Sequence, residues 1–310
     1  MSERLPAGAG APKLVEVADG VHAYLQPDGG WCLNNAGVIV GRDGAVVVDT
    51  AATVRRAQHL RAAVDSLAAA PGRAVVNTHF HGDHTFGNAV FGEAATIIAH
   101  ADTRTDMAET GLGLTALWPS VEWGDVRVAL PQVTYRGGGV TLHIDGRRVE
   151  LLHFGPAHTR GDTVVWLPEE RVLFTGDIVM PGCTPFVVMG SIEGSLVTLE
   201  RLRGLGAATV VGGHGPVAGP ESLDETEAYL RWIQGVAAEG FRQGLTPLET
   251  SIRCDLGDFA GLLDPERLVG NLHRAWAELE GGELARPLDP VAAFHEMVEY
   301  NGGRLPACYA

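Results

Sequence analysis

Along the first half of the chain, short apolar runs alternate with glycine turns. Residues 21–25, 37–40 and 45–48 are such runs, and the β-branched last of them ends in Asp49-Thr50. The pattern predicts three strands. Residues 51–70 then carry Val54, Leu60, Val64 and Leu67 at helical spacing, with Pro71-Gly72 as a stop signal. Residues 74–77 (AVVN) return to strand, and a histidine-rich loop follows at once. Strand, helix, strand, loop is the grammar of an α/β fold, in which chemistry gathers at strand ends.

From residue 141 to 176 strand follows strand: TLHI, VELLHF, TVVWLP and RVLFTG. Asp145-Gly146 is a hairpin signal and Pro168-Glu169-Glu170 a turn. A helix over about 193–203 leads to a strand at 209–211, and beyond Pro220 the pattern is mostly helical, including 223–240 and 265–279. Two β-rich blocks, each flanked by helices, predict sheets packed face to face with helices outside. Residues 13–220 would form that core, and 221–310 a helical extension packed on it, able to cover the site or to form a homodimer contact. The Gly/Ala/Pro-rich leader is expected to be mobile.

Composition narrows the classes of function. With 45% hydrophobic and 20% charged residues among 310, the chain can bury a full core without disulfide staples and is not largely disordered. Acidic residues outnumber basic ones by 38 to 23, a net charge of −15, which argues against a nucleic-acid backbone as partner. No apolar run approaches the ~20 residues of a membrane helix. The opening MSERLPAGAGAPK lacks a signal-peptide core, so a cytoplasmic location is expected. Four scattered cysteines (32, 183, 254, 308) form no CxxC pair and read as buried free thiols.

The histidines carry the chemistry. THFHGDHTFGN places His79, His81, Asp83 and His84 within six residues, directly after a predicted strand. Imidazoles suit zinc, and a carboxylate adds a harder ligand. In extended backbone His79 and His81 point the same way and can share one metal, while a turn at Gly82 would aim Asp83 and His84 at a second position. GPAHTRGD supplies His158, FTGD supplies Asp177 and GGHGP supplies His214, each near a strand end among glycines that permit close backbone approach. His22, His59, His100, His143, His153, His273 and His295 lack ligand spacing and are assigned to core or surface.

HFHGDH, the later His158, Asp177 and His214, and the strand ending VVVDT together resemble the metallo-β-lactamase superfamily, over about residues 15–216. The resemblance implies an α/β fold of the αβ/βα four-layer sandwich type with two zinc ions on its open edge, iron being the alternative metal. It implies that His79, His81 and His158 hold the first ion. Asp83, His84 and His214 would hold the second, with Asp177 bridging and Asp49 supporting the metal loop from behind. Two such ions about 3.5–4 Å apart lower the pKa of a shared water, and Asp83 would orient the nucleophile. True β-lactamases of this superfamily usually carry Cys or Ser where Asp177 stands.

GGWCLNNAG (29–37), NLHRAWAEL (271–279) and EMVEYNGGRLPACYA (296–310) are further similar to actinobacterial members, among them cyclase/thioesterases of aromatic (type II) polyketide pathways. That resemblance implies hydrolysis of a thioester on a small-molecule or carrier-protein-bound acyl substrate, with ring closure as a second activity. A glyoxalase II-like hydrolase and an iron-dependent persulfide dioxygenase are the alternatives, and a metal-stabilised binding protein is the non-catalytic one. For the apolar wall such a substrate needs, Trp31, Trp118, Phe186 and Met189 are the candidates. Trp118 belongs to an apolar-rich insertion over 101–139.

Overall fold

A computed structural model describes residues 10–42, 44–67, 74–92 and 95–310. Strands β1 (Lys13–Ala18), β2 (Val21–Leu25), β3 (Ala36–Gly41) and β4 (Gly44–Val48) form an antiparallel meander. Helix α1 (Val54–Leu67) then leads to β5 (Ala74–Val76), which lies parallel to β4. The short helices α2 (Gly82–Thr85) and α3 (Asn88–Phe91) precede β6 (Thr96–His100), and α4 (Ala101–Thr110) and α5 (Leu114–Leu117) precede β7 (Val133–Tyr135). Both strands extend the sheet in parallel, so its seven strands lie in chain order.

The second sheet begins with β8 (Gly139–Ile144), β9 (Arg147–Leu152), β10 (Val164–Leu167) and β11 (Val172–Gly176), all antiparallel. The β8–β9 hairpin turns on Asp145 and Gly146, both at positive φ, as its sequence signal required. Helix α6 (Ile192–Leu205) crosses to β12 (Thr209–Gly212), parallel to β11, and β13 (Val217–Ala218) closes the edge. Helices α7 (Glu221–Arg242), α8 (Pro247–Arg253), α9 (Arg267–Leu279) and α10 (Pro290–Tyr300) complete the chain.

Alternation along the strands sorts the layers. In β4, Val46 and Val48 face the second sheet, meeting Leu151, Val165, Leu167 and Phe174, while Val47 faces outward onto Leu60 and Val64 of α1. Both faces are buried, which is why the run reads as continuously apolar. The outer face of the second sheet (Val164, Trp166, Leu173, Val210) is covered by α6, α7 and α9 through Leu199, Leu230, Ile233 and Leu272. Helix, sheet, sheet, helix is the four-layer sandwich expected. The helices after residue 220 share its outer core.

Several local expectations shift. The helix placed at 51–70 starts at Val54, and its predicted end at 68–70 with the Pro71-Gly72 stop lies outside the described residues, as does most of the leader. The stretch 101–139 contains α4, α5 and β7. Cys32 and Cys183 are buried free thiols, but Cys254 and Cys308 are only partly covered. His143 lies exposed on β8, an edge strand.

Candidate metal centre

The ends of β4, β5, β11 and β12 bring the predicted ligands together. His79 follows β5, Asp177 follows β11 and His214 follows β12, while His158 sits in the loop between β9 and β10. The turn foreseen at Gly82 is one turn of helix, α2, and it carries Asp83 and His84. Gly213 makes the close approach possible, since a Cβ there would lie 1.9 Å from Asp177 Oδ1.

Two sets of donor atoms result. His79, His81, His158 and Asp177 form one group, and Asp83, His84 and His214 another. In the first, His81 Nδ1 lies 3.0 Å from His79 Nε2 and 2.9 Å from His158 Nε2, and Asp177 Oδ2 stands 3.8 and 3.6 Å from the same two Nε2 atoms. In the second, Asp83 Oδ2 is 3.4 Å from His214 Nε2 and 3.9 Å from His84 Nε2. Asp177 reaches this set too, 3.2 Å from His84 Nε2 and 3.5 Å from His214 Nε2. Its carboxylate lies between the two.

The far nitrogen of each ring is occupied. His84 Nδ1 meets Asp49, His214 Nδ1 meets the Gly29 carbonyl at 2.9 Å, and His158 Nδ1 meets the Phe186 carbonyl. A ring that donates at Nδ1 turns the lone pair of Nε2 toward the centre, which is how outer hydrogen bonds orient metal-binding imidazoles. His79 Nδ1 pairs with Thr78 Oγ1 at 3.0 Å, and that hydroxyl donates to Asp49 Oδ2 at 2.6 Å. His84 Nε2 and Asp177 Oδ1 are buried with no hydrogen-bond partner. Buried orphan atoms of this kind call for an explanation, and the donor set, five imidazoles and two carboxylates, fits divalent metal ions of the zinc type.

Electrostatics divides the two sets. Burial, reinforced by neighbouring imidazoles, holds His79 and His158 below the ordinary imidazole range and takes His81 down to about 3. Burial also opposes charge on His84 and His214, but the carboxylates win: Asp177, Asp49 and Asp83 push His84 well up, and Asp177 and Asp83 take His214 to about 9. For Asp83, burial would raise the carboxyl, yet His84 and His214 hold it down to about 2.

A cleft of 970 Å³, counted out to open solvent, opens over Asp83 and Asp177. Trp31, Phe186 and Met189 line it. Trp118 does not. It is 2% exposed, lies tilted behind Trp31 with ring centroids 5.4 Å apart, and donates from Nε1 to the Pro306 carbonyl. A bulky aromatic in an insertion satisfied its own N–H internally and became part of the support.

The sequence reading missed Arg267, whose guanidinium lies 4.3 Å from the Trp31 ring, and the α10 face formed by Val291, Phe294 and Met297. It also missed Asn35, which binds the Gly212 and Gly215 carbonyls on either side of His214. The spacing of residues 291, 294 and 297 was an available signal for one helical face. His100 and His153, set aside as non-ligands, stack on each other at 4.0 Å, outside every metal-binding group among the described residues.

The model of the metallo-beta-lactamase superfamily matches residues 29–214. The chain is 31% identical over 179 residues to 2,4-dinitroanisole O-demethylase subunit alpha of Nocardioides sp. (strain JS1661), covering 57% of this chain and 51% of that protein. To acyl-coenzyme A thioesterase MBLAC2 of Bos taurus it is 29% identical over 214 residues, 61% of this chain and 75% of that one. The chain spans about half the length of several curated relatives it matches. A solved metallo-beta-lactamase from Pontibacter korlensis superposes with a TM-score of 0.57 at 21% identity, over 71% of this chain and 99% of that chain, a likeness of fold. No helix among the described residues is long and apolar enough to cross a membrane.

Proposed function

Since this chain belongs to the metallo-beta-lactamase superfamily, we propose that it is a dizinc hydrolase that cleaves a thioester. The observation that carries the reading is Asp177 standing between two donor sets, beside an Asp83 that faces the cleft. His79, His81 and His158 would hold one ion, and Asp83, His84 and His214 the other. Divalent ions at these positions supply a lowered water pKa and a Lewis acid for the oxygen that becomes negative.

The chain's own residues do the rest. Asp83, ionised at neutral pH, accepts a hydrogen bond from the attacking water and fixes its direction. Trp31, Phe186 and Met189 shield one side of the cleft from solvent. A thiolate leaving group needs little proton donation, which suits a site whose remaining acids are held ionised. The thioesterase among its relatives supports the thioester as substrate. Ring closure of an aromatic polyketide is the finer form of the reading, and its support is the likeness of residues 29–37, 271–279 and 296–310 alone.

The test is thiol release by the zinc-loaded chain from simple acyl, glutathione and aromatic polyketide-like thioesters. Release that stops on chelation is expected. No release from any of them overturns thioester hydrolysis.

A further inference from the structure

Away from the donor cluster, the cleft is walled by Leu114 and Leu117 of α5 and by Val291, Phe294 and Met297 of α10. Phe186 lines it too, as does Met189, whose sulfur lies 3.4 Å from His81 Nε2. Behind the wall, the Trp118 ring packs edge-on against Phe294 at 5.2 Å and at a tilt against Trp31 at 5.4 Å, so these residues form one continuous aromatic backing. Val291 is 49% exposed although it lies at the cleft.

Among the described residues, no charged side chain lines this end. Besides imidazoles, the charged side chains lining the cleft are Asp83 and Asp177 in the donor cluster and Arg267. Arg267 is 2% exposed and already engaged: Asp264 lies 2.9 Å from its Nη2, Nη1 donates to the Thr184 carbonyl, and the Trp31 ring lies against the guanidinium. A carboxylate placed between α5 and α10 would lose water and gain no partner, which is unfavourable. A fused-ring or similarly bulky apolar group would lose only water-exposed apolar surface.

From this we infer that α5 and α10 form the specificity wall of the site, selecting substrates whose acyl part is bulky, uncharged and apolar and rejecting acyl parts or thiols that place a carboxylate there. The inference deepens the hydrolase reading above and rests on it for the word acyl. It does not need that reading for the binding preference itself.

The test uses the zinc-loaded chain and N-acetylcysteamine thioesters of acetic, succinic and 2-naphthoic acid. The naphthoyl thioester is expected to show a kcat/KM at least tenfold above the acetyl one, with the succinyl thioester lowest. Val291→Lys, which would give the succinyl carboxylate a partner, should shrink the naphthoyl-to-succinyl ratio at least tenfold. In parallel, the corresponding non-hydrolysable amides are titrated by calorimetry, and the naphthoyl amide should bind at least tenfold more tightly than the succinyl amide. If no thioester is cleaved but the amides keep this order, hydrolysis fails and the apolar wall stands. Equal binding of the two amides, or an unchanged ratio in the folded Val291→Lys chain, overturns the inference.

Discussion

The Nδ1 atom of His84 lies 2.8 Å from Oδ2 of Asp49. The same carboxylate accepts the Thr78 amide at 2.7 Å and the Thr78 hydroxyl at 2.6 Å, so one buried side chain ties the end of β4 to the segment after β5 that carries four of the donor residues. Asp49 holds this place at φ +60°, in the left-handed region, which is uncommon for a residue other than glycine. Helix α1 begins only at Val54, so Asp49 is not one of its terminal residues.

Removing that carboxylate should loosen the metal while leaving the fold. Asp49→Ala is expected to weaken binding at the His84 position roughly 10–100-fold, with less effect on the His79 group. Competition against a chelator, followed by metal analysis, measures both. Full zinc content at wild-type affinity would mean that Asp49 does not orient His84.

Loading the metal should release protons unevenly. In the metal-free chain His79, His81 and His158 are neutral near pH 7, whereas His84 and His214 are protonated, the latter up to about 9. A cation needs the free lone pair and must displace those protons. Affinity at the second position should therefore rise with pH between about 6 and 9, and affinity at the first should stay nearly flat. Indicator-dye titration of proton uptake and release would detect it. Equal pH dependence at both positions contradicts the charge division.

Asp83→Asn keeps the shape of the side chain and removes its charge. It should lower kcat by about 10²–10⁴-fold and reduce zinc at the second position, with circular dichroism unchanged. Wild-type turnover in this variant with metal bound would remove Asp83 from the reaction.

Trp118 and Phe186 should now separate. Trp118→Ala empties a buried ring position and is expected to cost about 3–5 kcal/mol of stability, read as a lower melting temperature. Phe186→Ala opens the cleft and should raise KM for a bulky thioester. A KM effect from Trp118 with no loss of stability would restore it to the wall.

The metal cluster was legible because its residues are chemically rare and stand at strand ends. HFHGDH names four donors by spacing, and His158, Asp177 and His214 each follow or precede an apolar run. The sandwich was legible from alternation. What escaped was long-range pairing between ordinary groups. The acceptor of His214 is a backbone carbonyl, that of Gly29, and no residue type announces it. Arg267 reads as a surface helix residue until Trp31 and Asp264 cover it. Strand β1, KLVEVA, was overlooked because it lies at a sheet edge with much of its surface exposed, and its pattern is weak.

The donors come from loops in both sheets, from His79 to His214. An unfolded chain therefore offers only the local HFHGDH cluster, and the complete pair of sites exists only after the sheets have docked. A metal bound there would act as a late clasp on a finished sandwich. By mass action it deepens the native basin, so its main kinetic signature should be slower unfolding, with refolding speed set by the sheets.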